Sequence, residues 1–151
     1  VLTEAFYDQT DGLFASAFIC RICPAQSYMV YSSAGAEPPM LFNGSHPHRN
    51  LKSGGLVLGV DKRTSYDDFV LSITPNDVFV AFTDGITESK RRSFRERLGR
   101  HSIVKAVEVT LRTSASPNSQ EIFSTIDRFN NGIYGDDATL LVASMYAVDS
   151  L

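Results

Sequence analysis

The hydrophobic pattern of this chain changes once, near Thr87, and that change limits the folds open to it. Before this point, short runs of β-branched and aromatic residues alternate with turn residues, which is typical of antiparallel strands. After it, apolar residues recur at intervals of three and four, which is typical of amphipathic helices. The last apolar run, 138–148, again has the character of a strand. Strands, then helices, then a strand predict an α+β domain built in layers.

The part before Thr87 predicts mostly antiparallel sheet. Two apolar runs joined by Pro24-Ala25-Gln26 predict a hairpin, and Asn43-Gly44 is a strong turn signal. The polar stretch 45–55 predicts an exposed loop. The predicted strands cover residues 14–23, 27–33, 40–42, 56–60, 66–73 and 77–83.

The part after Thr87 predicts two helices. Apolar residues from Leu98 to Leu111 define one buried face, so the first helix should end near Arg112. A break follows, and Ser119 is the predicted N-cap of the second helix. That helix should end at Asn130-Asn131-Gly132.

Two acidic turns lie about fifty residues apart, each beside an apolar run. Asp84-Gly85 follows the run 79–82, whereas Asp136-Asp137 precedes the run 138–142. A carboxylate fixed at a strand end is a hard oxygen donor on a rigid base, as Mg²⁺ or Mn²⁺ coordination requires. The same residues are also common in plain turns, because Gly accepts positive φ and Asp hydrogen-bonds its own backbone. Taken singly, each motif therefore allows both interpretations.

The order and surroundings of these motifs resemble a known family. The segments that carry the resemblance are 31–41 (YSSAGAEPPML), 58–60 (LGV), 83–88 (TDGITE), 94–98 (FRERL) and 136–142 (DDATLLV). Together they resemble the metal-dependent PPM (type 2C) protein phosphatases, in particular the SpoIIE-like bacterial branch. The matched segments keep the family order over nearly the whole chain.

This resemblance implies a fold, a reaction and a site. The fold would be an antiparallel β-sandwich flanked by helices, and the enzyme a bacterial hydrolase of signal transduction. It would remove phosphate from phosphoserine or phosphothreonine of a regulatory protein, using a water activated by two Mn²⁺ or Mg²⁺ ions. The resemblance implies that Asp84 and Asp136 are metal ligands, with Gly85 and Asp137 supporting the site. No further side chain is implied as a catalyst.

The sequence also departs from the family. An Asp-x-x-Gly-His-Gly type motif, which supplies further carboxylates in family members, is absent, as are the strands that precede it. We therefore expect residues 1–151 to be the C-terminal portion of a single SpoIIE-like PPM phosphatase domain. Two alternatives stay open: a pseudophosphatase that binds a regulatory partner without catalysis, and an unrelated α+β domain whose acidic turns are structural. A smaller departure is Ala36-Glu37, where the family usually has His and Pro.

The composition of the chain narrows the classes of partner and the cellular locations that remain open. The 151 residues have ordinary apolar and charged fractions and a net charge of −3, which argues against nucleic acid or an anionic membrane as a partner. No apolar run is long enough to span a bilayer, and the first residues lack the pattern of a signal peptide, so we expect a cytoplasmic protein. Cys20 and Cys23 have the spacing of half a zinc site without the other half, and we expect two mostly buried free thiols.

Other charged residues have plain interpretations. His46, His48 and His101 are too scattered for a metal site and are expected at the surface. Glu88 is expected to be a helix-end residue. Two further clusters remain as alternatives, an acidic one that could replace a missing ligand and a basic one that could attract a phosphoprotein. They are Asp8-Gln9-Thr10-Asp11-Gly12 and Lys90-Arg91-Arg92.

Overall fold

The computed structural model describes residues 2–9, 12–44, 46–89, 97–114, 116–130 and 133–146. Its contacts divide them into two compact units, one within Val1–Pro38 and Leu51–Thr74 and one within Pro39–Asn50 and Pro75–Ala147. In chain order the elements are α1 Leu2–Gln9, β1 Ala17–Cys23, β2 Tyr28–Ala34, β3 Met40–Asn43, β4 His46–Asn50, β5 Phe69–Ser72, β6 Val78–Phe82, α2 Asp84–Thr87, α3 Gly99–Leu111, α4 Ser119–Asn130 and β7 Leu140–Ser144.

The first unit holds α1 and an antiparallel sheet in the order β1-β2-β5. A single 3₁₀ turn, Pro24–Gln26, joins β1 and β2, which confirms the predicted hairpin. On one face of this sheet the Tyr31 ring stacks between Phe18 and Phe69, with ring centroids 5.4 and 5.3 Å away. Met29 is fully buried in the same strand as Tyr31. Aromatic packing across three strands therefore holds this sheet together.

The second unit holds an antiparallel sheet in the order β4-β3-β6-β7 and the helices α2, α3 and α4. Residues at alternate positions of β3 and β6 point to one face, where they meet the apolar faces of α3 and α4. The fully buried residues of this hydrophobic core are Met40, Val78, Val80, Ile86, Ile103, Ala106, Val107, Ile122 and Ile126. The core therefore fixes β6, and through it the position of the Asp84 turn that follows.

Two predictions about strands are wrong. The predicted loop 45–55 contains β4, which pairs with β3 at the edge of the sheet. Its side chains are mostly exposed, so polar residues and Pro47 are tolerated there. The predicted strand 56–60 forms only an isolated bridge between Ala15 and Leu58. Gly59 then turns with φ +95°, and an added Cβ would lie 2.3 Å from the Leu13 carbonyl oxygen.

The prediction that the two cysteines are mostly buried is also wrong. Cys20 is exposed and Cys23 is half-buried, and both thiols are free. The reason lies in the position of β1, which has a paired neighbour on one side only, within the described residues. On a central strand, Cys20 would have a neighbouring strand on each side and would be less exposed.

The N-cap of α4 is Asn118, not the predicted Ser119. The Asn118 Oδ1 accepts a hydrogen bond of 2.9 Å from the Glu121 N–H, and the Glu121 Oε2 accepts one of 3.2 Å from the Asn118 N–H. This reciprocal pair is a capping box, which satisfies two backbone donors at the start of the helix.

We expect Asn118→Ala to lower the free energy of unfolding by about 1 kcal/mol, because it removes the acceptor of the cap. Ser119→Ala is the matched control and should change it by less than about 0.5 kcal/mol, since Ser119 is exposed. Urea unfolding followed by circular dichroism measures both. An equal loss in the two variants would contradict the assigned cap.

A helix that crosses a bilayer must be both long and apolar. None of the helices in the described ranges is both long enough and apolar enough to cross a membrane.

Candidate functional site

The two acidic turns meet at one end of the paired strands β6 and β7. These strands are antiparallel, with Phe82 opposite Leu140, so the end of β6 lies beside the start of β7. Asp84 is the first residue of α2 and follows β6 after Thr83 alone, and Asp136 lies four residues before β7. The fold therefore brings together two motifs that are about fifty residues apart in the sequence.

Thr83 links the two turns through its backbone and its side chain. Its N–H donates to the Thr139 carbonyl at 3.1 Å, which extends the strand pairing by one residue. Its Oγ1 accepts the Thr139 N–H at 2.9 Å and donates to the Asp137 carbonyl at 3.2 Å. Three hydrogen bonds thus connect the residue before Asp84 with the segment that contains Asp137.

Gly85 brings the backbones of the two turns into direct contact. A Cβ at this position would lie 2.3 Å from the Asp137 carbonyl oxygen and 2.8 Å from the Asp137 carbonyl carbon. Real Cβ atoms do not approach a backbone so closely, so only glycine fits this position without a shift of the turn. The requirement for glycine comes from the opposite turn, independently of any metal.

The carboxylates of the two turns are open to solvent. Asp84, Asp136 and Asp137 are all exposed. The Asp136 Oδ1 accepts the Asp137 N–H at 2.8 Å, which fixes the Asp136 side chain and leaves its second oxygen available. Oxygen donors of this kind suit Mg²⁺ or Mn²⁺, and Mg²⁺ in particular is often held by one or two carboxylates together with water and phosphate oxygens. The residues present therefore fit a divalent cation in part.

The described residues do not assemble a complete set of protein ligands. Within those ranges, no group of three or more His, Cys, Asp and Glu side chains is placed to hold a metal ion. Glu88, which follows α2, forms an ion pair of 2.6 Å with Arg97, as expected of a helix-end residue rather than a ligand. Asp84 and Asp136 therefore supply at most two carboxylates at this end of the sheet, and a metal site there would need further ligands.

The segment that leads to Asp136 is attached to α4 by a tyrosine. The Tyr134 hydroxyl donates to the Asp127 carboxylate, and its ring packs on Phe123 with centroids 5.5 Å apart. Partial burial raises the pKa of Tyr134 well above its usual value, and the neighbouring carboxylate raises it further. Tyr134 therefore anchors the backbone two residues before Asp136.

We expect Tyr134→Phe to lower the free energy of unfolding at pH 7 by about 1 kcal/mol, because the hydrogen bond to Asp127 is lost. The raised pKa means that the folded state favours the protonated phenol. The contribution of Tyr134 to the free energy of unfolding is therefore complete below the ordinary tyrosine pKa of 10.0, and it falls as the pH rises above that value. The difference between the two proteins should therefore shrink at alkaline pH. Urea unfolding at pH 7 and at a pH above 10.0 measures this difference, and Tyr7→Phe at an exposed position is the control.

Several other sequence predictions can be compared with the structure. His46 and His101 are exposed, and His48 stacks on Phe42 with ring centroids 5.4 Å apart. Asp8 lies exposed on α1. Thr10 and Asp11, the run 90–92 and most of the 94–98 segment lie outside the described residues.

Sequence reasoning missed Thr83 and the pair of Tyr134 with Asp127. Thr83 stands within a motif that was recognised, yet only the pairing of β6 with β7 shows that it faces Thr139. Asp127 and Tyr134 are seven residues apart, and the end of α4 lies between them. Their pairing is a contact between a helix and the segment that follows it, which a local pattern does not predict.

Known proteins resemble the chain in sequence and in fold. Phosphoserine phosphatase RsbU of Bacillus subtilis is 28% identical to it over 132 residues, which are 87% of the chain and 39% of RsbU. The SiaA-PP2C domain of Pseudomonas aeruginosa superimposes with a TM-score of 0.75 at 14% identity, over 94% of the chain and 57% of that domain's chain. The phosphatase domain of SpoIIE from B. subtilis, presoaked with Mn, gives 0.61 at 12% identity, over 91% and 59%.

The structural matches confirm the predicted α+β, type 2C phosphatase-like fold, because the likeness extends over nearly all of the chain. The chain spans about two fifths of the length of RsbU and less than two thirds of either solved chain. A family model described as Stage II sporulation protein E (SpoIIE) matches residues 2–146. Since that match covers almost every residue, the chain belongs to the SpoIIE family.

Proposed function

We propose that this chain carries part of the catalytic centre of a metal-dependent protein serine/threonine phosphatase. The observation that supports it most is the meeting of the Asp84 and Asp136 turns at one end of β6 and β7. The relative RsbU is named a phosphoserine phosphatase, which supports phosphoserine, and by chemical likeness phosphothreonine, as the group hydrolysed. The substrate would be a phosphorylated regulatory protein in the cytoplasm.

In this proposal Asp84 and Asp136 each donate a carboxylate oxygen to divalent cations, Mn²⁺ or Mg²⁺, and two ions are expected in a complete domain. Bound cations would acidify an attacking water and neutralise charge on the phosphoryl oxygens. The chain's own contribution is rigidity. Thr83 and Gly85 fix the two turns to each other, and the Asp137 N–H orients the Asp136 carboxylate.

The charge of the two turns also matters for the proposal. Carboxylates that lie close together repel one another, so cation binding should stabilise this end of the sheet. A readout of metal binding is therefore available without any substrate. Added Mn²⁺ should raise the unfolding temperature of the chain, and a chelator should reverse the rise.

A second candidate function is a binding module that recognises a regulatory partner without catalysis. It is supported by the donor set, because the described residues supply fewer than three grouped ligands. The two functions share the fold and the acidic turns, and they differ in turnover.

The experiment that separates them measures hydrolysis of an aryl phosphate and of a phosphoserine peptide with Mn²⁺, with Mg²⁺ and with chelator. Hydrolysis that requires the cation is expected for the phosphatase. If Mn²⁺ binds and stabilises the chain but neither substrate is hydrolysed, then either the catalytic centre needs carboxylates that the chain lacks or the chain is a binding module, and the phosphatase proposal rests on a longer protein alone. If Mn²⁺ neither binds nor stabilises it, the proposed metal site of this chain is wrong, and a binding module or a structural role for the acidic turns is the better account.

A further inference from the structure

Thr83 occupies the N-cap of α2, yet its side chain does not cap that helix. Its backbone is extended, with φ −91° and ψ 160°, which is the usual conformation of an N-cap residue. A threonine in this position normally accepts a hydrogen bond from the backbone two or three residues ahead. Here the Ile86 N–H bonds to the Thr83 carbonyl instead, at 3.1 Å, and no side-chain cap is formed.

The Thr83 hydroxyl is used across the strand pair. It accepts the Thr139 N–H at 2.9 Å and donates to the Asp137 carbonyl at 3.2 Å. Both partners are backbone groups on either side of Ala138, directly after the Asp136-Asp137 pair. One hydroxyl therefore satisfies a donor and an acceptor of the opposite acidic turn, in place of its own helix.

We propose that Thr83 is a positioning residue, whose hydroxyl holds the Asp136 turn against the Asp84 turn and so sets the separation of the two carboxylates. This inference rests on the proposed function for its consequence, which is tight binding of divalent cations. Metal–oxygen distances are restricted to a few tenths of an ångström, so ligands on separate segments must be held in place before the ion arrives. The local order of the Asp136 turn does not depend on that function.

The chemistry of the position allows a clean test. Thr83→Val keeps the β-branched shape and removes only the hydroxyl, so the Thr139 N–H and the Asp137 carbonyl lose their partner. The backbone bond from the Thr83 N–H to the Thr139 carbonyl remains, and β6 and β7 stay paired. Thr83→Ser restores the hydroxyl. Thr110→Val is the matched control, since among the described residues the buried Thr110 hydroxyl bonds to a carbonyl of its own helix, at Ala106.

Two measurements on the whole chain test the inference. Amide hydrogen exchange by NMR reports the local order of residues 136–139, and titration with Mn²⁺ alone reports cation affinity. In Thr83→Val, we expect exchange of the Thr139 amide to accelerate about fivefold or more, the scale of one net hydrogen bond at a position open to water. Mn²⁺ affinity should fall by a similar factor. Thr83→Ser and Thr110→Val should each stay within about threefold of the parent chain.

The outcomes separate this inference from the proposed function. Unchanged exchange of the Thr139 amide in Thr83→Val would overturn the inference, as would equal losses in Thr83→Val and Thr110→Val. Faster exchange with unchanged Mn²⁺ affinity would also overturn it, because the turn would then be ordered without setting the ligands. If the parent chain binds no Mn²⁺ at all, the proposed function is wrong and so is the positioning of ligands, whatever the exchange shows.

Discussion

Gly85→Ala is expected to destabilise the chain and to weaken its binding of Mn²⁺. The new methyl would lie 2.3 Å from the Asp137 carbonyl oxygen, and a backbone atom cannot rotate away as a side chain can. Overpacking of this kind costs about 3 kcal/mol, whereas the better helix propensity of alanine returns only about 1 kcal/mol. We therefore expect a net loss of about 2 kcal/mol, with the two acidic turns forced apart.

Urea unfolding and Mn²⁺ titration measure the two consequences of Gly85→Ala. The matched control is Gly44→Ala in the same unit, where an added methyl meets nothing within 4 Å. That variant should retain both stability and cation affinity. A Gly85→Ala protein as stable as the parent chain, with the same Mn²⁺ affinity, would show that the turns are not packed as described.

Asp84→Asn is expected to lower Mn²⁺-dependent hydrolysis at least about a hundredfold, the scale seen when a catalytic centre loses one charge-stabilising group. The substitution keeps the shape of the side chain and removes its negative charge, which the cation requires. Because Asp84 is exposed, the free energy of unfolding in the absence of metal should change by less than about 0.5 kcal/mol. The loss would then be specific to the bound cation.

The control for Asp84→Asn is Asp68→Asn, the same chemical change at an exposed position of the other unit. Hydrolysis of an aryl phosphate and binding of Mn²⁺ are measured for both variants, and for Asp136→Asn. Asp136→Asn should resemble Asp84→Asn, because the two carboxylates are proposed to share one centre. Full activity in Asp84→Asn would show that this carboxylate is not a ligand.

Local sequence patterns predicted the helices and strands whose side chains are buried in a regular pattern. β6 is buried on nearly all sides and reads as a continuous apolar run, and α3 and α4 each have one apolar face, so all three were found within a few residues. The edge strand β4 was missed because its partners cover only one side of it. Its polar sequence, with Pro47 near the start, has no periodicity that separates an edge strand from a loop.

The candidate site, too, was predictable from the sequence only in part. Asp84 and Asp136 were selected from their motifs and their family order, and their role as ligands remains a prediction. The structure added that the turns touch at Gly85 and are linked by Thr83. A distance across two chain segments is set by strand register, and register is decided by the packing of whole strands.

The sequence by itself determined the α+β class, the family and the two acidic motifs, because these depend on residue types, their order and their local spacing. The tertiary structure decided which groups meet. Thr83 faces Thr139 because β6 and β7 pair with Phe82 opposite Leu140, and that register follows from the apolar core beneath both strands. A hydroxyl that could have capped its own helix thus joins the two halves of the candidate metal centre.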